Sequence, residues 1–142
     1  MDGREFLEAA KSLAKSHSEA FLRSAISRAY YALLNAASQF LTRLGFVVQR
    51  GSAKHGQVYA WLFNCGVDKM VDFARLLDEL RTRRNEADYD MDSKEFHNNV
   101  ICSLRVAKAE LALKLLAECD KTSLRQQIQT GIREYERKIK HS

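Results

Sequence analysis

EAFLRSAISRAYYALLNAASQFLTRLG, residues 19–45, decides the fold. Its apolar residues fall at Leu22, Ile26, Ala29, Leu33, Ala37, Phe40 and Leu44. Those are steps of three and four, the template of a helix with one buried face. Gly45 supplies a natural stop, because glycine alone takes the left-handed turn without strain. A helix of roughly 25 residues follows, long enough to serve as the backbone of a domain.

Upstream, Asp2 with Glu5 reads as a capping box. Phe6, Leu7, Ala10, Leu13 and Ala14 form a second helical stripe, and Ser16-His17-Ser18 breaks it. Downstream, four of the six glycines (45, 51, 56 and 66) mark Phe46 to Ala53 as the main loop. Ser52 then caps a short helix carrying Val58, Trp61 and Leu62. Asp68 opens another with Met70, Phe73, Leu77 and Leu80 on one face. A second capping box, Asp92 with Glu95, starts a helix with Phe96, Val100, Leu104, Ala107, Leu111 and Leu115 along its core side. Ser123 caps a final helix with Leu124, Ile128, Ile132, Tyr135 and Ile139.

The 142 residues contain no proline, where average usage would give roughly seven. This excludes proline-rich and collagen-like classes and weakens any many-stranded reading. The expected fold is all-α: an up-and-down helical bundle of four to five main helices plus a short helix. Residues 1–120 form the bundle, and residues 121–142 a basic amphipathic helix on or extending from it.

Three cysteines, Cys65, Cys102 and Cys119, make an odd set without CxxC spacing, which argues against a disulfide framework and a zinc site. No His, Asp and Glu cluster has metal spacing, so no metal and no cofactor are expected. The N-terminus has no apolar core of a signal peptide, and no apolar run approaches the length of a membrane span. A soluble, cytoplasmic protein is expected.

The formal net charge is +5. Residues 121–142 hold six cations against Glu134 and Glu136, a net of +4 and most of that surplus. Such a helix is either a last bundle helix with a solvated face or an arm that contacts RNA or a partner.

One step of four beyond Leu80 stands Arg84, with Arg81, Arg83, Asn85, Glu86 and Asp88 around it. A buried-side arginine is costly unless it is paired or faces a cleft. Either the stripe has ended and Arg84 lies at a solvated helix end, or Arg84 and Asn85 line a groove. In a groove, the planar guanidinium suits a phosphate. In the long helix, Ser27, Arg28, Tyr30 and Tyr31 put hydrogen-bonding groups near its middle. They serve either close helix packing or a site.

RSAISRAYYALLNAA (23–37), KHGQVYAWL (54–62) and LRTRRNEADYD (80–90), in that order, resemble the HEPN domain family over residues 5 to 118. The resemblance implies a four- to five-helix bundle that works as a homodimer. Many members are metal-independent ribonucleases, often toxins beside a nucleotidyltransferase-like antitoxin; others serve in phage defence or only bind RNA or a nucleotide. The family's ribonuclease motif is arginine, a polar residue, then a histidine four to six residues on. Arg84 and Asn85 match its start. Asp88 and Tyr89 stand where the histidine belongs, as in a variant branch with Arg-x-x-Ala-Asp-Tyr. The resemblance therefore makes Arg84, Asn85, Asp88 and Tyr89 the candidate catalytic residues. Arg81, Arg83, Arg28 and His55 are the candidate contacts to RNA phosphates. Two alternatives stay open: a toxin-like ribonuclease, or a non-catalytic RNA- or nucleotide-binding module with a nucleotidyltransferase-like partner.

Overall fold

The computed structural model describes residues 3–121 and 123–141. It is 83% helical, with six helices and no strand among the described residues, an all-α bundle. In order these are α1 (Gly3–Ala14), α2 (Glu19–Arg43), α3 (Lys54–Phe63), α4 (Asp68–Tyr89), α5 (Asn99–Asp120) and α6 (Leu124–Lys140). Short 3₁₀ turns at Gly51–Ala53 and Lys94–His97 precede α3 and α5. The expected capping residue Asp2 lies outside the described residues.

α2 is the central element and packs against α1, α4 and α5. Its expected stripe, Leu22 through Leu44, is buried at every position. Ala25, Ala29, Ala32 and Ala37 are buried between the larger side chains, and their small volume lets neighbouring helices approach. The helix stops as expected. Gly45 takes φ 94°, its N–H donates to Thr42 O at 3.0 Å, and Phe46 N–H donates to Leu41 O at 3.0 Å. That pairing closes the terminal carbonyls in a Schellman-type end.

α5 departs from the expectation. Most of the expected stripe faces solvent: Val100 is 63% exposed, Leu104 62% and Leu111 55%, while Phe96, in the 3₁₀ turn before α5, is buried. The buried register is Cys102, Val106, Ala109, Ala112, Leu116 and Cys119. Both sets repeat with helical period, so periodicity alone did not separate them. The closely packed side of α5 takes the smaller residues, which permit contact with α1, α2 and α4 together. The start differs too. Asn98, not Asp92, caps α5, its Oδ1 accepting from Val100 N at 2.9 Å and Ile101 N at 3.3 Å. Glu95 instead pairs with Arg105. Likewise Ser52 lies in the 3₁₀ turn and Ala53 precedes α3, without a side-chain cap.

α6 packs on α3 and α5. Ile128 and Ile132 are fully buried, while Ile139 is exposed. Gly131 lies against the turn between α3 and α4, so closely that a Cβ there would stand 1.8 Å from Cys65 O.

Candidate functional site

Arg84 lies on α4 where that helix crosses α2. Its guanidinium carbon is 5.1 Å from the Tyr30 ring centroid and 5.7 Å from that of Tyr31. The quadrupole of each ring attracts the cation. Nη1 donates to Asp88 Oδ2 at 3.4 Å, a long contact one turn along α4. Nε is buried with no hydrogen-bond partner among the described residues. The side chain is 17% exposed. Arg84 is thus neither at a frayed end nor sealed in the core: aromatic rings hold it at the surface.

Beneath it runs a buried polar chain. The Tyr30 hydroxyl is 2.9 Å from His55 Nδ1, and His55 Nε2 is 3.2 Å from Asp78 Oδ1. An ionised carboxylate only accepts, so Nε2 carries the proton and donates to Asp78. Nδ1 then accepts from the Tyr30 O–H. His55 is 6% exposed, and the Tyr59 ring stacks on it with an interplanar angle of 4°. Burial pushes the His55 pKa below its ordinary value, and the Arg81 and Arg84 charges add to this against the opposing pull of Asp78. Burial also raises the Tyr30 pKa, opposed by Arg84 through its charge and as a hydrogen-bond donor, and by Arg81 through its charge. At neutral pH the site therefore holds a neutral imidazole, a protonated phenol and two guanidinium groups.

The end of α4 is fixed by a second arginine, Arg23 of α2. Its Nη1 donates to Ala87 O and Asp90 O at 2.9 Å and to Glu86 O at 3.1 Å. Nη2 donates to Glu19 Oε1 at 2.9 Å, and the guanidinium lies 4.5 Å over the Phe96 ring. A cation on the terminal carbonyls satisfies acceptors that a helix leaves unpaired and complements the macrodipole. This clamp holds the last turn of α4, with Asp88, against α2.

The structure brings Arg84, Asp88 and His55 into one cluster, with Arg81 exposed beside it. Arg81 has no carboxylate within ion-pair distance among the described residues, and its charge reaches both His55 and Tyr30. Arg83 turns the other way, pairing with Glu86 at 2.8 Å and approaching Glu95 at 3.9 Å. Tyr89 is 76% exposed and does not join the buried chain. Asn85 is half-buried on α4, and Arg28 is exposed on α2, three residues before Tyr31. Sequence reasoning left Tyr30 open between close helix packing and a site, and did not name Asp78. Asp78 is foreshadowed only weakly: it precedes Arg81 by three residues, as Arg81 precedes Arg84.

Among the described residues no three His, Cys, Asp or Glu side chains converge to hold a metal ion, and no helix is long and apolar enough to cross a membrane. No family model, curated protein or solved structure matches the chain.

Proposed function

We propose that this chain is a HEPN-like, toxin-type RNA-binding protein that acts as a homodimer. In this reading Arg84 holds an RNA phosphate, assisted by Arg81, and the setting is toxin–antitoxin or phage defence. One observation carries it: a guanidinium braced by two tyrosine rings, partly exposed, with a histidine in the polar chain behind it. A phosphate offers the charge and the bidentate geometry that such a group takes up.

The reading extends to metal-independent cleavage. Attack by the RNA 2′-hydroxyl needs a proton acceptor near neutral pH. The motif lacks its own histidine, and His55 of α3 is the acid–base group that stands in the cluster. Asp78 holds its tautomer, as the orienting carboxylate does in other acid–base arrangements. Arg84 would stabilise charge on the reacting phosphate. Exposed Tyr31, Tyr89 and Met91, on α2 and at the end of α4, offer apolar surface for a second copy.

A second reading, a non-catalytic module that binds RNA, a nucleotide or a nucleotidyltransferase-like partner, is favoured by one specific feature. His55 is buried and both ring nitrogens are engaged. An RNA cleavage assay of the wild type beside Arg84→Ala separates the two. Cleavage lost in the folded variant supports the enzyme. Wild-type protein that binds RNA and leaves it intact supports the module, and failure to bind RNA at all refutes both RNA readings.

A further inference from the structure

The last helix carries cations that the site at Arg84 does not use. Arg133, Arg137 and Lys140 are exposed on α6. They follow at intervals of four and three residues, about 6 Å and 4.5 Å along the axis, on one side of the helix. None has a carboxylate within ion-pair distance among the described residues. On the bundle, Lys11, Arg43, Lys69 and Lys108 each meet one between 2.8 and 3.3 Å, while Arg81 shares the α6 cations' lack of one among the described residues.

These three side chains and Glu136 line a groove of about 440 Å³ with Phe46. Phe46 is half-buried and its ring lies 5.3 Å from that of Trp61, which makes it a fixed wall. The segment after it is braced: Gln57 Oε1 accepts from Gln49 N at 2.7 Å. Three cations against one carboxylate leave the groove positive. A positive groove with an aromatic wall fits single-stranded nucleic acid, with phosphates on the cations and a base against the ring.

We propose that the Arg133–Arg137–Lys140 face of α6, with Phe46, binds the backbone of single-stranded RNA. The proposal rests on the RNA reading above only for its choice of polyanion. An anionic bilayer is the other surface a basic amphipathic helix can meet, but that mode inserts the apolar face. Here the middle of that face is spent: Ile128 and Ile132 are fully buried, and Ile139 at its end is exposed. Gln129 Nε2 donates to Leu44 O at 2.8 Å, and Gly131 sits against the Cys65 backbone. α6 is seated on the bundle and shows solvent its charged side.

The test is fluorescence anisotropy of the full chain with a labelled oligouridylate of about 16 nucleotides, titrated across salt concentrations. It compares wild type, Arg137→Gln, Arg133→Gln/Arg137→Gln/Lys140→Gln and Arg84→Ala. Each phosphate contact contributes about 0.7 to the slope of log affinity against log salt for single strands. The triple variant should lower that slope by about 2, and the single variant Arg137→Gln by about 0.7. The substituted side chains are exposed, so thermal melts should match the wild type. A triple variant with unchanged slope overturns the proposal; if Arg84→Ala then loses binding, the reading of Arg84 survives alone. A triple variant that loses binding while Arg84→Ala keeps it supports the α6 surface and counts against Arg84. Wild-type protein that binds phosphatidylcholine–phosphatidylserine vesicles and not the oligouridylate, or that binds neither, overturns the proposal.

Discussion

Replacing Tyr30 by phenylalanine removes one oxygen from the centre of the site and little else. The ring stays, and with it the face on which Arg84 rests, 5.1 Å from the centroid. What is lost is the 2.9 Å bond to His55 Nδ1. Tyr30 is 2% exposed and His55 6%, so water does not readily replace the hydroxyl. A buried acceptor left unsatisfied costs about 1–3 kcal/mol. For a chain of this length that lowers Tm by roughly 2–12 °C. Urea denaturation followed by circular dichroism measures it, with the slope against denaturant checked for constancy. RNA affinity, measured on protein that remains folded at the assay temperature, should change little, because both ring faces against Arg84 remain. Tyr30→Phe within about 0.5 kcal/mol of wild type, the range of a neutral surface change, would refute the claim that Tyr30, His55 and Asp78 act as one chain.

Acidification probes the same group. His55 has its folded pKa below the unfolded value near 6.5, so the unfolded chain takes up the proton first. Its contribution is complete above about pH 6.5 and is lost as pH falls toward the folded pKa. Asp78→Asn removes a group that raises this pKa and should deepen the loss between pH 7 and 5, while His55→Gln should flatten it; melts across that range decide. Arg23→Ala strips a buried cation from the carbonyls of Glu86 and Ala87 in α4 and of Asp90 just beyond it and should cost about 3–5 kcal/mol, read by urea denaturation; a cost under 1 kcal/mol contradicts the clamp. On α5, Leu104→Ser should change stability by less than about 0.5 kcal/mol and Val106→Ala by about 1–3 kcal/mol, and the opposite order would restore the expected stripe as core. Gly131→Ala forces a methyl into the Cys65 carbonyl and should cost about 1–3 kcal/mol or release α6, seen as faster amide exchange in that helix.

Much of the architecture lies in local pattern. The steps of three and four from Leu22 to Leu44, the stop at Gly45 and the stripe from Met70 to Leu80 are properties of a helix and its ends. They need no knowledge of what packs where, and the structure agrees with each. The same logic drew attention to Arg84, because an unbroken helix keeps it in register with Leu80.

Local pattern failed where two answers have the same period. On α5, Leu104 and Leu111 repeat as well as Val106 and Ala109 do. The choice depends on how closely α1, α2 and α4 approach, which is a property of the assembled bundle. Capping was ambiguous for a similar reason: Asp92 with Glu95 has the right spacing, but Arg105, ten residues past Glu95, engages that carboxylate first.

The site divides in the same way. By itself the sequence determined the helices, their main lengths and one misplaced arginine, since those follow from spacing along a single chain. Only the tertiary structure decided what the arginine touches. Tyr30, His55 and the α4 pair Asp78 and Arg84 lie on three different helices, and no periodicity relates one helix to another. Helix packing brings the phenol within 2.9 Å of the imidazole and the imidazole within 3.2 Å of the carboxylate.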